Sequence, residues 1–215
     1  MDSQRSVYHE ALELYSWKLR TSEEAPTPIA LDTLEAIRQA VAQCTACSLH
    51  QTRTQTVFGV GNAQAQLMVI GEAPGFNEDQ QGEPFVGRGG QLLTAMLKSV
   101  GFAREEVYIA NILKCRPPNN RDPQPDEVQT CTPFLDKQIA LIKPRVLLAV
   151  GRIAAHYLLK TKASLESLRG KLHYYGEEQT PLIITYHPAY LLRSPGDKKK
   201  AFIDLQFTAK TLLQR

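Results

Sequence analysis

Three apolar runs in this chain each stop at a side chain able to do chemistry. Leu67-Met68-Val69-Ile70 gives way to Gly71-Glu72-Ala73-Pro74-Gly75, Val107-Tyr108-Ile109-Ala110 ends at Asn111, and Pro181-Leu182-Ile183-Ile184-Thr185-Tyr186 stops at His187-Pro188. Short apolar runs of this kind read as buried parallel strands, and open α/β sheets place ligands beyond the carboxyl ends of their strands. Glu72, Asn111 and His187 are therefore expected along one rim, although they are far apart in sequence. Each has a plainer reading: a carboxylate capping a turn, an asparagine bonding its own backbone, a histidine fixed before a proline. The coincidence of all three carries more weight than any one of them. Gly71 and Gly75 let the backbone approach a ligand closely, and Pro74 stiffens the loop between them.

An asparagine amide offers an acceptor and a donor side by side, a pair that fits one edge of a nucleobase. Uracil presents O4 as acceptor beside N3–H as donor and matches it. Cytosine reverses the pattern, and a mismatched buried polar pair is rejected strongly. Phe85 lies in the glycine- and proline-rich stretch Gly82-Glu83-Pro84-Phe85-Val86-Gly87-Arg88-Gly89-Gly90 rather than on an apolar face. It is a candidate platform for stacking a base, or a plug beneath the loop.

The four cysteines are Cys44, Cys47, Cys115 and Cys131. Cys44 and Cys47 form a C-x-x-C, suited to gripping one metal centre, and the other two must be brought to it by the fold. Four thiolates fit either zinc or a [4Fe-4S] cluster; a redox C-x-x-C beside two unrelated thiols is the alternative.

The elements that must position these residues alternate strand and helix. Asp32, with Glu35 three residues on, reads as the capping box of a helix through Leu34, Ile37, Ala40 and Val41, which delivers Cys44 and Cys47. Residues 52–62 read as loop. Helical spacing recurs over 91–97, 125–142, 154–158 and 198–213, strands over 67–70, 107–110, 146–150 and 181–186, and an edge strand over 172–175. This is an α/β class: three layers, helices on both faces of a central, mostly parallel four-stranded sheet. Residues 1–30 read as a helical extension (5–20) and a proline-broken linker (21–28), with 31–215 as the main domain. That first helix could pack on its own domain, on a protein partner, or on another copy.

At 215 residues, 43% hydrophobic and 22% charged, the composition is ordinary for a globular chain, and a net charge of +3 does not by itself argue a nucleic-acid partner. Arg193 and Lys198-Lys199-Lys200 concentrate charge near the end. No apolar run is long enough to span a bilayer, and the N-terminus lacks the apolar core of a signal peptide, so a soluble, cytoplasmic protein is expected with no membrane partner.

Taken together, Gly71-Glu72-Ala73-Pro74-Gly75, Pro84-Phe85-Val86-Gly87-Arg88, Asn111-Ile112-Leu113-Lys114-Cys115-Arg116-Pro117-Pro118 and His187-Pro188-Ala189-Tyr190-Leu191-Leu192-Arg193 resemble the family 4, iron–sulfur uracil-DNA glycosylases. Cys44-Thr45-Ala46-Cys47 with Thr52-Arg53-Thr54 is also similar to that family, and the likeness runs from about Leu34 onward in the family's order. It implies the uracil-DNA glycosylase-like fold and a structural [4Fe-4S] cluster on Cys44, Cys47, Cys115 and Cys131. It also implies hydrolysis of the uracil N-glycosidic bond in single- or double-stranded DNA. On this likeness Phe85 stacks the base, Asn111 reads its edge and His187 donates to uracil O2. Glu72 is the catalytic carboxylate, in a wall made with Gly71, Ala73 and Gly75, and Glu78 shapes the pocket near uracil C5. Leu191 and Leu192 are the candidate wedge into opened DNA, and Arg193 and Lys198–Lys200 the phosphate contacts. A superfamily member that binds uracil-DNA with little or no turnover is the alternative. Its relatives carry a histidine in the insertion that here reads Arg116-Pro117-Pro118-Asn119-Asn120-Arg121-Asp122. A Rossmann-type nucleotide site would need G-x-G-x-x-G after the first strand, which Gly71–Gly75 does not supply.

Overall fold

The computed structural model describes residues 31–214; the helix and linker expected within 1–30 lie outside the described residues. The first helix, α1, is Leu34–Ala42, followed by a short strand β1, Val60–Gly61, and the central strand β2, Leu67–Gly71. Two helices follow, α2 at Phe76–Gln81 and α3 at Arg88–Lys98, then β3 at Tyr108–Asn111. The long α4, Pro125–Ile142, leads to β4, Val146–Val150, α5, Arg152–Leu159, and the single turn α6, Leu165–Leu168. The chain ends with β5, His173–Tyr175, β6, Thr180–Thr185, α7, Pro188–Arg193, and α8, Lys198–Leu213.

The sheet order is β1-β3-β2-β4-β6-β5. The inner four strands are parallel and wholly buried but for the first residue of β6, while β1 and β5 pair antiparallel at the two edges. Successive strand side chains point to opposite faces, and the strands divide accordingly. Met68, Ile70, Leu147, Ala149, Leu182 and Ile184 pack with α4 and α5. Leu67, Val69, Leu148, Val150 and Ile183 pack with α3, α7 and α8. Each fully buried aliphatic side chain contributes about 1.5–3 kcal/mol, so two such faces hold the sheet rigidly between its helices.

The three-layer expectation stands, with six strands rather than four. Residues 60–61 were expected as loop because two residues leave no periodicity to read. They pair because Gly61, at φ +124°, brings its backbone where a Cβ would lie 1.9 Å from the Val107 carbonyl oxygen. The cap of α1 also differs from expectation. Thr33, not Asp32, accepts the Ala36 amide, at 3.1 Å. Pro133 sits inside α4 without leaving its carbonyl partner bare, since the Thr132 hydroxyl donates to the Gln129 oxygen at 3.4 Å. Among the described residues no helix is long and apolar enough to cross a membrane.

Candidate active site

Parallel register places Gly71 directly beside Asn111, and Val150 beside Thr185, two residues before His187. The strand ends thus converge, as expected, on one cleft of about 470 Å³ lined by Glu72, Gly75, Glu78, Phe85, Asn111 and His187. Asn111 is 2% exposed, and its Oδ1 has no hydrogen-bond partner among the described residues. A buried amide oxygen left unpaired costs about 1–3 kcal/mol, so its presence at a cleft wall calls for a ligand that donates to it.

Phe85 is held in the left-handed region at φ 55°, where a non-glycine residue stores strain. Three contacts fix it there. Glu78 accepts the Val86 and Gly87 amides through Oε1, both at 3.0 Å, and the Gly75 amide through Oε2 at 3.1 Å. Arg104 donates to the Pro84 carbonyl at 2.6 Å. Gly90 lies so close beneath that a Cβ there would be 1.7 Å from the Phe85 carbonyl oxygen. Gly71 is required from the other side, where a Cβ would be 2.4 Å from Asn111 Oδ1 and 2.6 Å from the Phe85 ring. Glu78, expected only as a pocket wall, is therefore also the strut that joins the Gly75 turn to the Phe85 loop.

His187 is the N-cap of α7. Its Nδ1 accepts the Ala189 amide at 3.2 Å, which leaves Nε2 to carry the proton of the neutral ring. Burial, reinforced by Arg193, pushes its pKa down to about 4 against a smaller pull from Glu78, so the ring is neutral at physiological pH. The Phe85 and His187 rings lie 5.8 Å apart at 33°. Behind the histidine, Gly151 at φ +97° leaves room where a Cβ would come within 3.0 Å of the His187 Cβ.

Glu72 has its pKa pushed up to about 7, first by burial and then by the Asp122 carboxylate, with Arg152 opposing. Arg152 pairs with Asp122 at 2.9 Å. Neither Asp122 nor Arg152 stood out in the sequence. The only signal was the irregular, proline-rich basic stretch 114–123, of which Asn120, Arg121 and Asp122 line the cleft.

The expected DNA contacts divide. Leu191 is 0% exposed and packs into the sheet face beneath α7, so it is a core residue, contrary to its expected part in a wedge, whereas Leu192 is 38% exposed. Helical geometry explains the split, because neighbours on one turn point in different directions. Arg193 lines the cleft and Lys198 is exposed. Lys200 is instead occupied by Asp197 at 3.0 Å and Glu166 at 3.5 Å.

The four cysteines line one small chamber, together with Arg53, Lys114 and His50. Arg53 donates to Cys115 Sγ at 3.1 Å and the Lys114 amide to Cys131 Sγ at 3.3 Å. Burial pushes the Cys131 thiol up to about 11 and raises that of Cys115. Among the described residues no group of three or more His, Cys, Asp or Glu is arranged to hold a single metal ion. Four thiols around one chamber, with N–H donors aimed at the sulfurs of Cys115 and Cys131, are a donor set of the kind that holds thiolate-bound metal. The Lys114 side chain, 1% exposed, runs from this chamber toward the cleft. Its Nζ donates to the Asn111 carbonyl at 2.8 Å and to Gln138 Oε1 at 2.6 Å.

The parallel strand ends bring a buried amide, a neutral histidine and a carboxylate into one cleft beside the Phe85 ring, and the sequence places the chain in a class: it belongs to the uracil DNA glycosylase superfamily, whose profile matches residues 58–207. Within it, the chain is similar to the type-4 uracil-DNA glycosylase of Sulfurisphaera tokodaii, 43% identical over 176 residues that cover 79% of this chain and 80% of the relative. It is equally similar to that of Archaeoglobus fulgidus, 43% identical over 171 residues covering 77% and 86% of the two chains. A type-5 uracil-DNA glycosylase of Thermus thermophilus is more distant, at 27% identity over 175 residues, 73% of this chain and 80% of its own.

Proposed function

We propose that this chain is a DNA-repair uracil-DNA glycosylase that takes uracil out of the helix and hydrolyses its N-glycosidic bond, leaving an abasic site. The observation that carries this reading is the buried Oδ1 of Asn111, without a partner among the described residues, in a cleft that Phe85 and His187 also line. Uracil N3–H satisfies that oxygen and O4 takes the Asn111 amide protons; cytosine satisfies neither. Phe85, already fixed, stacks the base without reorganising.

Bond cleavage passes through an oxocarbenium-like sugar, with negative charge gathering on uracil O2. The Nε2 proton of a neutral His187 bonds this oxygen more strongly as its charge grows; losing one such donor costs on the order of 3 kcal/mol of barrier. Ionised Glu72 stabilises the cationic sugar or orients the attacking water. Arg193, Lys198 and exposed Leu192 face the DNA. Cys44, Cys47, Cys115 and Cys131 would hold a [4Fe-4S] cluster that cross-links the exit of α1 to α4 and to the segment after Asn111. The catalytic domain in this reading is 31–215, with 1–30 as an N-terminal extension that could meet a protein partner.

Purified protein given a uracil-containing oligonucleotide is expected to release free uracil and leave an abasic strand; tight binding without release would sink the turnover claim. Asn111→Asp is expected to reduce preference for uracil over cytosine by about 5- to 150-fold, the span of a buried mismatch. Unchanged selectivity would remove Asn111 from the reading role.

A further inference from the structure

One large aromatic side chain beside the cleft is left out of the core. Phe76, the first residue of α2, is 56% exposed, although it follows directly on Gly75 in the cleft wall. The Arg116 guanidinium lies over its ring, 5.0 Å from the centroid. Arg116 is itself oriented, because its Nε donates to Asn120 Oδ1 at 2.7 Å. Asn119 and Asn120 adopt left-handed backbone angles, φ 54° and 52°, in the loop that makes this possible. Gly75 and Asn77 on one side, and Pro117 and Asn120 on the other, all line the cleft, so the pair sits at its rim. An exposed phenylalanine is a cost in water unless something covers it. Here the ring is presented beside a fixed cation, at the mouth of a site that takes one base from a polyanionic strand.

We infer that Phe76 and Arg116 form a stacking platform for the nucleobase adjacent to the flipped uridine. The occupant is set by chemistry and by continuity with the cleft. Aromatic rings and guanidinium planes stack any base without reading its edge, and the cation suits a phosphate-bearing strand. A strand whose uridine enters the cleft must leave and re-enter across this rim, where its neighbour has lost a stacking partner. The platform supplies a replacement, which matters most where no complementary strand holds that neighbour in place. This inference rests on the glycosylase reading.

The test uses the full chain, Phe76→Ala and Phe76→Trp, with labelled single strands containing one uridine. Three strands are compared: intact flanks, a base-free sugar on the 5′ side, and one on the 3′ side. Phe76→Ala is expected to weaken binding of the intact strand about tenfold, the scale of one stacked base. Phe76→Trp restores it. Removing the base on one flank weakens binding by the native chain and abolishes the difference between native chain and Phe76→Ala. Affinity for free uracil and the thermal midpoint stay unchanged. An equal loss on all three strands, no loss on the intact one, or weakened free-uracil binding overturns the platform. Failure of the native chain to release uracil counts against the glycosylase reading alone, because the platform is read from binding.

Discussion

Two titratable groups in the cleft are pushed in opposite directions, one to a single state at neutral pH and the other to the middle of its titration. His187, at about 4, is a neutral donor; Glu72, at about 7, is divided between acid and carboxylate. If the carboxylate is the working form, the rate rises about tenfold per pH unit below 7 and levels above it, and this acid limb belongs to Glu72. Glu72→Gln should abolish the limb along with most of the activity. The same shift has a sign in stability. The folded chain keeps a proton between pH 4.5 and about 7 that the unfolded chain has released, so this group's contribution to stability falls as pH rises through that window. After discounting for partial exposure, Glu72→Gln should raise stability on the order of 1–2 kcal/mol at pH 8 and leave it unchanged at pH 4, read by thermal unfolding. His187→Ala should lower kcat on the order of a hundredfold or more with little change in KM, the signature of a bond that strengthens only in the transition state. Equal losses in both would assign His187 to ground-state binding.

At the level of elements, two glycines look alike in sequence and differ in what surrounds them. A Cβ at Gly71 meets the ends of two side chains, Asn111 and Phe85, both of which line the cleft. A Cβ at Gly90 meets the backbone of Phe85. Gly71→Ala is therefore expected to weaken free-uracil binding more than tenfold at nearly native thermal midpoint, with Asn111 and Phe85 displaced. Gly90→Ala should lower the midpoint itself, because a backbone segment must move. The inner strands, α4 and α8 were legible in the sequence, because long apolar periodicity survives any tertiary context. So was the meeting of Glu72, Asn111 and His187, which follows from parallel strands alone. The strut made by Glu78 was not, since its partners are backbone amides eight and nine residues away that carry no side-chain signature. Nor was the loop that brings Asp122 against Glu72, and the burial of Leu191 depends on the phase of a six-residue helix too short to show one.

Across the described residues, the cysteine chamber and the cleft lie at the two ends of one short segment, Asn111 to Cys115. Lys114 bridges them, bonded to the Asn111 carbonyl and, through Gln138, to the Phe58 carbonyl at 3.0 Å and the Tyr108 hydroxyl at 3.1 Å. Native protein is expected to carry four irons and matching sulfide per chain, the content of one [4Fe-4S] cluster. Cys131→Ser should lower iron and sulfide content, reduce the thermal midpoint and weaken free-uracil binding together. Stoichiometric zinc without iron would refute the cluster. The strained Phe85 has a consequence for how damage is found in a long DNA. If Phe85 stacks the flipped base as proposed, a ring already held at φ 55° acts as a gauge of fixed bore. The work of opening would then fall on the double helix, and uracil in loosely stacked or mispaired surroundings is expected to be released faster than uracil in stiff duplex, read by comparing release rates from such oligonucleotides.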